Sequence, residues 1–156
     1  MKLKKFLVIL AVALCATACE KNVADSVVGN YKGTIDMSVA GESAGTMDIS
    51  VAVTKITGNT VSLAIVNDAE ATTGMSIRCL QIDDVTVTDN GNSTYSLSKT
   101  IPENGLAVTD TESESKTVWT ITSFSGNVED KSLTLNILAQ PGAMPMPITL
   151  VFTGTI

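Results

Sequence analysis

Apolar and polar residues alternate along most of the chain from residue 29 onward. A period of two is typical of β-strands that bury one face and expose the other. The first such run places Ile35, Met37 and Val39 between polar residues. Two stretches are near copies of each other, GTIDMSV at 33–39 and GTMDISV at 45–51, with a short link between them. This pattern predicts two strands joined as a hairpin.

Further alternating runs follow along the rest of the chain. Their apolar positions lie at 61–65, 75–88, 95–97, 119–121, 133–137 and 148–152. Asn90-Gly91 is a strong signal for a tight hairpin turn, and no stretch between the runs has the period of a helix. Neighbouring strands are therefore predicted to pair antiparallel in chain order. Leu80 and Ile82 are out of phase with the rest of their run, which predicts a bulge.

A sheet of eight antiparallel strands must protect its two edges. Closure into a barrel removes both edges, whereas a two-sheet sandwich usually needs longer connections between the sheets. The predicted fold class is all-β, an eight-stranded antiparallel up-and-down barrel, with the sandwich as the alternative. The longest connections are an acidic segment at 101–117, interpreted as a mobile loop or as a lid over the barrel mouth, and a proline-rich turn at 139–147.

The N-terminal residues have the organisation of a secretory signal peptide. Lysines at 2, 4 and 5 precede an apolar run at 6–14, and small residues at 16–18 precede Cys19. The apolar run is shorter than the ~20 residues that a membrane-spanning helix needs. Small residues followed at once by cysteine resemble the lipobox of bacterial lipoproteins. The resemblance implies cleavage before Cys19 and acylation of that residue, with palmitate as one of the chains.

Ordinary signal peptidase offers a competing interpretation. It would accept the same small residues, cut at the same bond and leave a free thiol on Cys19. We favour lipidation because an unpaired exposed thiol is unusual in an exported protein. Cys79 then has no partner for an intramolecular disulfide and is predicted to be a small buried strand residue. The predicted organisation is a signal peptide at 1–18, a lipidated N-terminus and tether at 19–28, and a barrel domain at 29–156.

Charge and histidine content narrow the classes of function. The net charge is −6, and loss of the signal lysines would make the mature chain more acidic still. A chain this acidic, with Arg78 as its only arginine, is a poor nucleic-acid binder, and its contact with a membrane is expected to come from the anchor. The absence of histidine removes the Ser-His-Asp triad and every His-based metal site. We therefore expect no catalytic residue, no metal and no cofactor.

Carboxylates are the remaining candidates for chemistry. Asp36 and Asp48 lie on the polar faces of the first two predicted strands, and Asp83, Asp84 and Asp89 lie within and directly after the fourth. Close carboxylates can share a proton or bind Ca²⁺, but the full calcium-loop pattern is missing. Solvated positions on the outer face and in turns are the favoured interpretation.

The ends of the predicted barrel carry a family resemblance. The lipobox and tether, the opening Gly29–Thr34 (GNYKGT) and the closing Phe152–Thr155 (FTGT) resemble the calycin-like lipoproteins of the Bacteroidetes type. The resemblance implies an eight-stranded calycin barrel whose first and last strands pair. Tyr31 stands where lipocalins carry the tryptophan of a Gly-x-Trp motif. The family has no agreed activity, so the resemblance implies no catalytic residues for this chain.

The sequence leads to two hypotheses on function. The first is a lipid-anchored binding module of the cell envelope, which takes a small apolar or amphipathic ligand in or at the mouth of the barrel. Its predicted wall residues are Met37, Met47, Trp119 and Phe152. The second is a non-catalytic scaffold or accessory lipoprotein that binds another envelope protein through its outer face or loops. Few acidic residues follow Cys19, which favours the periplasmic side of the outer membrane over the cell surface.

Overall fold

The chain folds almost entirely into β-strands. The computed structural model describes residues 22–67, 77–112 and 116–156. Within these residues, one short 3₁₀ helix precedes nine strand segments. The bounds are 3₁₀ helix Val23–Ser26, β1 Gly29–Val39, β2 Glu42–Lys55, β3 Thr60–Val66, β4 Cys79–Gly91, β5 Thr94–Ser98, β6 Leu106–Thr109, β7 Val118–Glu129, β8 Ser132–Pro141 and β9 Ile148–Thr155.

The strands close into a ring. β1 to β5 pair in chain order, and β1 also pairs with β9, which continues through β8 to β7. β5 pairs with the second part of β7, Ser125–Glu129, and β6 pairs with its first part, Val118–Ile121. β5 and β6 therefore share one position in the ring. The result is a closed eight-stranded antiparallel barrel, which confirms the predicted fold class.

The acidic segment at 101–117 is where the prediction needs correction. Its residues Leu106–Thr109 form strand β6, not part of a mobile loop or lid. Val108 pairs with Trp119 and is buried, while Leu106 packs against the core. Two apolar residues are too few to give a visible period within an acidic stretch, so only the neighbouring strand reveals β6.

β4 contains the predicted bulge. Leu80 and Ile82 are buried before the bulge and Val85 after it. The residues that face the core therefore change from even-numbered to odd-numbered positions. Asp84 has a φ of 53°, which is the local distortion that an extra residue in one strand requires. Met75, which belonged to the same predicted run, lies outside the described residues.

Inward side chains from all parts of the ring form one hydrophobic core. Most are Val, Ile and Leu, which pack well on a pleated surface. Trp119, Tyr31 and Phe152 are the largest fully buried members. Cys79 is half-buried, in contrast to the predicted buried position, because Leu80 and Ile82 take the inward face of β4 and alternation turns Cys79 outward.

The two ends of the barrel differ. We call the end that holds the 3₁₀ helix and the turns at 56–59, 92–93 and 130–131 the base. The opposite end, which holds the turn at 40–41 and the connections that follow β3, β6 and β8, is the loop end.

The 3₁₀ helix is packed against the base. Ala24 and Val27 are fully buried, and the backbone N–H of Ala24 donates to the carbonyl oxygen of Gly58 at 3.0 Å. Lys55 and Asp25 add an ion pair at 2.8 Å. The prediction of a tether at 19–28 is therefore corrected from Val23 onward, because two small apolar side chains gain burial by covering the core. The predicted signal peptide and Cys19 lie outside the described residues.

The closing pair of strands, β1 and β9, approaches closely at two glycines. Gly33 pairs with Gly154. A Cβ on Gly154 would meet the ring of Phe152, and a Cβ on Gly33 would meet the carbonyl oxygen of Thr153. The ring of Phe152 therefore occupies the space that a side chain at Gly154 would need, and the barrel is filled at this level.

We expect Gly33→Ala to lower the free energy of unfolding by about 1–3 kcal/mol, the usual cost of adding a methyl group to a packed region. Gly58→Ala is the matched control, because its Cβ would meet only Asn22 Oδ1, at 3.0 Å. Urea unfolding of the two variants measures the difference. Equal midpoints would contradict the role assigned to the close approach of β1 and β9.

Candidate functional site

Three of the four predicted wall residues lie on adjacent strands. Met47 of β2 and Phe152 of β9 both pair with Ile35 of β1, one from each side. Met37 is the next inward residue of β1 toward the loop end. Phe152 and Met37 are buried, and Met47 is half-buried against the core. The structure thus brings these three side chains together across the closing strands.

Trp119, the fourth predicted wall residue, lies apart from them on β7. It is the first inward residue of that strand at the loop end, and it pairs with Val108 of β6 and Pro141 of β8. Its side chain is 1% exposed. The tryptophan is therefore a core residue next to the loop end, separated from β9 by β8.

Within residues 22–67, 77–112 and 116–156, no atom accepts a hydrogen bond from the indole N–H of Trp119. Among the described residues, it is the one buried side-chain polar atom without a partner. Leaving a buried donor unsatisfied costs about 1–3 kcal/mol, and buried tryptophans usually place this group against a partner. An unsatisfied donor at this position marks a place where a further acceptor would be stabilised.

Tyr31 shows the opposite arrangement at the base. Its hydroxyl donates to the carbonyl oxygen of Val27 at 2.8 Å, and its side chain is fully buried. Burial raises the pKa of the Tyr31 hydroxyl, since the phenolate would be poorly solvated there. The hydroxyl of Tyr31 at the base thus has a hydrogen-bond acceptor within the protein. The indole N–H of Trp119 at the loop end has none among the described residues.

A second polar group lies near Met47. The side-chain amide of Asn67 is buried and approaches the Met47 sulfur at 3.7 Å. A thioether is a weak acceptor but an adaptable apolar surface. The interior at the loop end therefore combines soft apolar side chains with a small number of polar groups, which is the usual composition of a small-molecule site.

A groove of about 390 Å³ lies at the base, away from all four predicted wall residues. It is lined by Ser26, Tyr31, Ser93, Tyr95, Val128, Asp130, Lys131 and Ile156. These residues come from the 3₁₀ helix, from two hairpin turns and from the last residue after β9. Sequence reasoning missed the groove because no local pattern connects segments so far apart in the chain.

Asp110 is a buried carboxylate that sequence reasoning also missed. Its Oδ2 accepts from the backbone N–H of Arg78 at 2.8 Å, and its Oδ1 accepts from that of Cys79 at 3.0 Å. The backbone N–H of Thr111 donates to the carbonyl oxygen of Cys79 at 3.2 Å. These bonds attach the end of β6 to the start of β4. Asp110 stands in an acidic stretch, so nothing in its neighbours indicates burial.

Asp36 and Asp48 take the outer-face positions that the sequence favoured, whereas Asp83, Asp84 and Asp89 lie within strand β4 and not in a turn. Asp36 and Asp48 are exposed on the outer face, where Thr46 donates to Asp36 at 2.6 Å. Asp83 accepts from Gln81 at 2.9 Å and from Ser62 at 2.5 Å. The hydrogen bond from Gln81, followed by that from Ser62, holds the pKa of Asp83 below its usual value.

Residues 22–67, 77–112 and 116–156 carry neither a cluster of metal-ligating side chains nor a membrane-spanning helix. These residues contain no group of three or more His, Cys, Asp or Glu side chains that could hold a metal ion. Within the same ranges, no helix has the length and apolar character needed to cross a membrane.

A closed eight-stranded antiparallel barrel with a short 3₁₀ helix packed on its base defines a calycin-type protein. The family model described as the calycin-like beta-barrel domain matches residues 27–155. The chain therefore belongs to the calycin-like β-barrel family. Among curated proteins, no sequence matches it.

One solved structure supports the fold independently. It is a protein from Bacteroides fragilis, provisionally described as an outer membrane protein, and it superposes on this chain with a TM-score of 0.69 at 23% sequence identity. The match covers 87% of this chain and 53% of that one, so this chain spans about half the length of its neighbour. At this identity the likeness concerns the fold.

We expect Asp110→Ala to lower the free energy of unfolding by about 1.5–3 kcal/mol, because backbone donors would lose a charged acceptor. Asp110→Asn keeps one acceptor oxygen and should cost less. Thermal and urea unfolding of the two variants give the comparison, with amide hydrogen exchange at Arg78 and Cys79 as the local readout. Unchanged protection at those two amides in Asp110→Ala would contradict the attachment of β6 to β4 through this carboxylate.

Proposed function

We propose that this protein is a lipid-anchored binding module of the cell envelope that holds a small amphipathic molecule inside the loop end of its barrel. The observation that carries the proposal is the buried indole N–H of Trp119, for which the described residues offer no acceptor. A ligand with a carbonyl, carboxylate or hydroxyl oxygen would satisfy this donor. Its apolar part would lie against Met37, Met47 and the aliphatic core.

The covered base supports entry from the loop end. Ala24 and Val27 are buried against the core at the base, and the Tyr31 hydroxyl donates to the Val27 carbonyl oxygen. The ring of Phe152 fills the space over Gly154. A ligand would therefore approach past Trp119 and Met37 and stop above Phe152, which in this proposal forms the floor of the site.

The envelope location rests on the N-terminal pattern. Lipidation of Cys19 would tether the barrel to a membrane without a spanning helix, and more than one acyl chain is needed for stable attachment. We place the protein on the periplasmic side of the outer membrane. The provisional description of the Bacteroides fragilis neighbour as an outer membrane protein is consistent with this placement.

A non-catalytic scaffold that binds another envelope protein is the second candidate. Val118 and Met146 are both 43% exposed, and both lie at the loop end. Exposed apolar residues of this kind contribute to protein interfaces. In either case the proposal assigns no catalytic residue, no cofactor and no metal to this chain.

We expect one molecule of a medium-chain fatty acid, such as dodecanoate, to bind and to change the emission of Trp119, the only tryptophan in the chain. Trp119→Phe should weaken binding about tenfold, because it removes one hydrogen bond worth ~1.4 kcal/mol. Native mass spectrometry gives the stoichiometry, and calorimetry gives the affinity.

Tyr31→Phe is the matched control for Trp119→Phe. It also removes one aromatic donor, but at the base, so it should lower stability and leave the affinity for dodecanoate unchanged. If a series of fatty acids and monoacylglycerols gives no added mass and no change in emission, the internal site is refuted and the scaffold is favoured. Binding that Trp119→Phe leaves unchanged would refute the role of the indole.

We expect Cys19→Ser to abolish the incorporation of labelled palmitate and to move the protein from the membrane fraction to the soluble fraction. Cys15→Ser is the control and should change neither property, because the bulky Leu14 precedes Cys15 and disfavours cleavage there. Membrane retention of the Cys19→Ser protein would show that the anchor lies elsewhere.

A further inference from the structure

The base of the barrel carries apolar side chains that are exposed to solvent. Val28 is 41% exposed and Ile56 is 45% exposed. Val28 follows the 3₁₀ helix, and Ile56 follows β2 directly. Both lie at the same end of the barrel as the groove between Ser26, Ser93 and Lys131. The base therefore joins an apolar surface to a concave site with a mixed polar and apolar lining.

The N-terminal segment leaves the barrel from this same end. Val23 begins the 3₁₀ helix, and its neighbour Ala24 is fully buried and hydrogen-bonded to Gly58. Four peptide links separate Val23 from Cys19, and a fully extended chain spans at most about 3.6 Å per residue. An acyl anchor on Cys19 would therefore hold the base within about 14 Å of the bilayer surface.

From this distance we infer that the base faces the membrane and that its groove takes the headgroup of a zwitterionic phospholipid. This inference rests on the anchorage at Cys19 in the proposed function. Val28 and Ile56 would contact the interfacial layer. The loop end, with Trp119, would point away from the bilayer, so the internal ligand would enter from the aqueous side.

The charges of the groove support a zwitterionic partner. Asp130 and Lys131 occupy one hairpin turn and both line the groove, so it presents one carboxylate and one ammonium group. A phosphate group matches the ammonium of Lys131, and the amine of the headgroup matches the carboxylate of Asp130. The net charge of the chain is −6, which disfavours anionic lipids.

The side chains beside these charges suit a membrane interface. Tyr95 is half-buried against the core and lines the groove with Ser26 and Ser93. Tyrosine has an apolar ring and a polar tip, and it is enriched where protein meets the headgroup layer. The serine hydroxyls add donors for phosphate oxygens.

The depth of nitroxide labels in the bilayer tests this orientation. The lipidated full-length protein, in a Cys79→Ser background, is reconstituted in phosphatidylethanolamine–phosphatidylcholine vesicles and recovered by flotation. One label is placed at the base (Asn90→Cys) and the other at the loop end (Glu42→Cys); both positions are exposed and lie near strand ends. We expect the base label to collide with a water-soluble nickel chelate severalfold less often than the loop-end label.

Lys131→Gln tests the groove itself and should raise the collision rate of the base label. Lys116→Gln, which changes an exposed lysine at the loop end, is the matched control and should have no effect. Equal collision rates at the two labels would overturn the membrane-facing base, and an unchanged rate in Lys131→Gln would overturn the headgroup site. A protein that does not float with the vesicles would refute the anchorage of the proposed function and this inference with it.

Discussion

The pairing of β1 with β9 is the constraint on which the rest of the structure depends. Eight residue pairs, from Lys32–Thr155 to Val39–Ile148, join the first and last strands. Without them the sheet would have two open edges and the core would be exposed along a seam. Gly33 and Gly154 permit the close approach, and the ring of Phe152 fills the space beside Gly154. The strand pairing that closes the barrel therefore also packs the core at this position.

Closure makes the two ends of the barrel unequal. The base is covered by the 3₁₀ helix, and the Tyr31 hydroxyl is satisfied there by the Val27 carbonyl oxygen. At the loop end, Trp119 is buried with an unsatisfied N–H. This asymmetry in hydrogen bonding distinguishes the internal site proposed for the loop end from the surface site proposed for the base. One barrel can therefore offer two binding environments of different chemistry.

Alternation and turn chemistry were enough to predict the barrel, the hairpin of β1 and β2, and the bulge in β4. They failed where a segment was too short to show a period. Leu106–Thr109 is a strand because Trp119 and Ile121 of β7 lie beside it. Val23–Ser26 is packed because Ala24 and Val27 complete the base. The four predicted wall residues were correctly expected on inward faces, but whether they bind a ligand stays a prediction.

The sequence by itself determined the all-β class, the antiparallel order of the strands and which residues face inward, because these follow from a period of two and from local turns. Its lack of histidine also restricted the chemistry. Only the tertiary structure decided that Asp110 is buried between β6 and β4, that the groove forms from distant turns, and that no described residue accepts a hydrogen bond from the Trp119 indole. These properties depend on contacts between segments far apart in the chain, which no local pattern encodes.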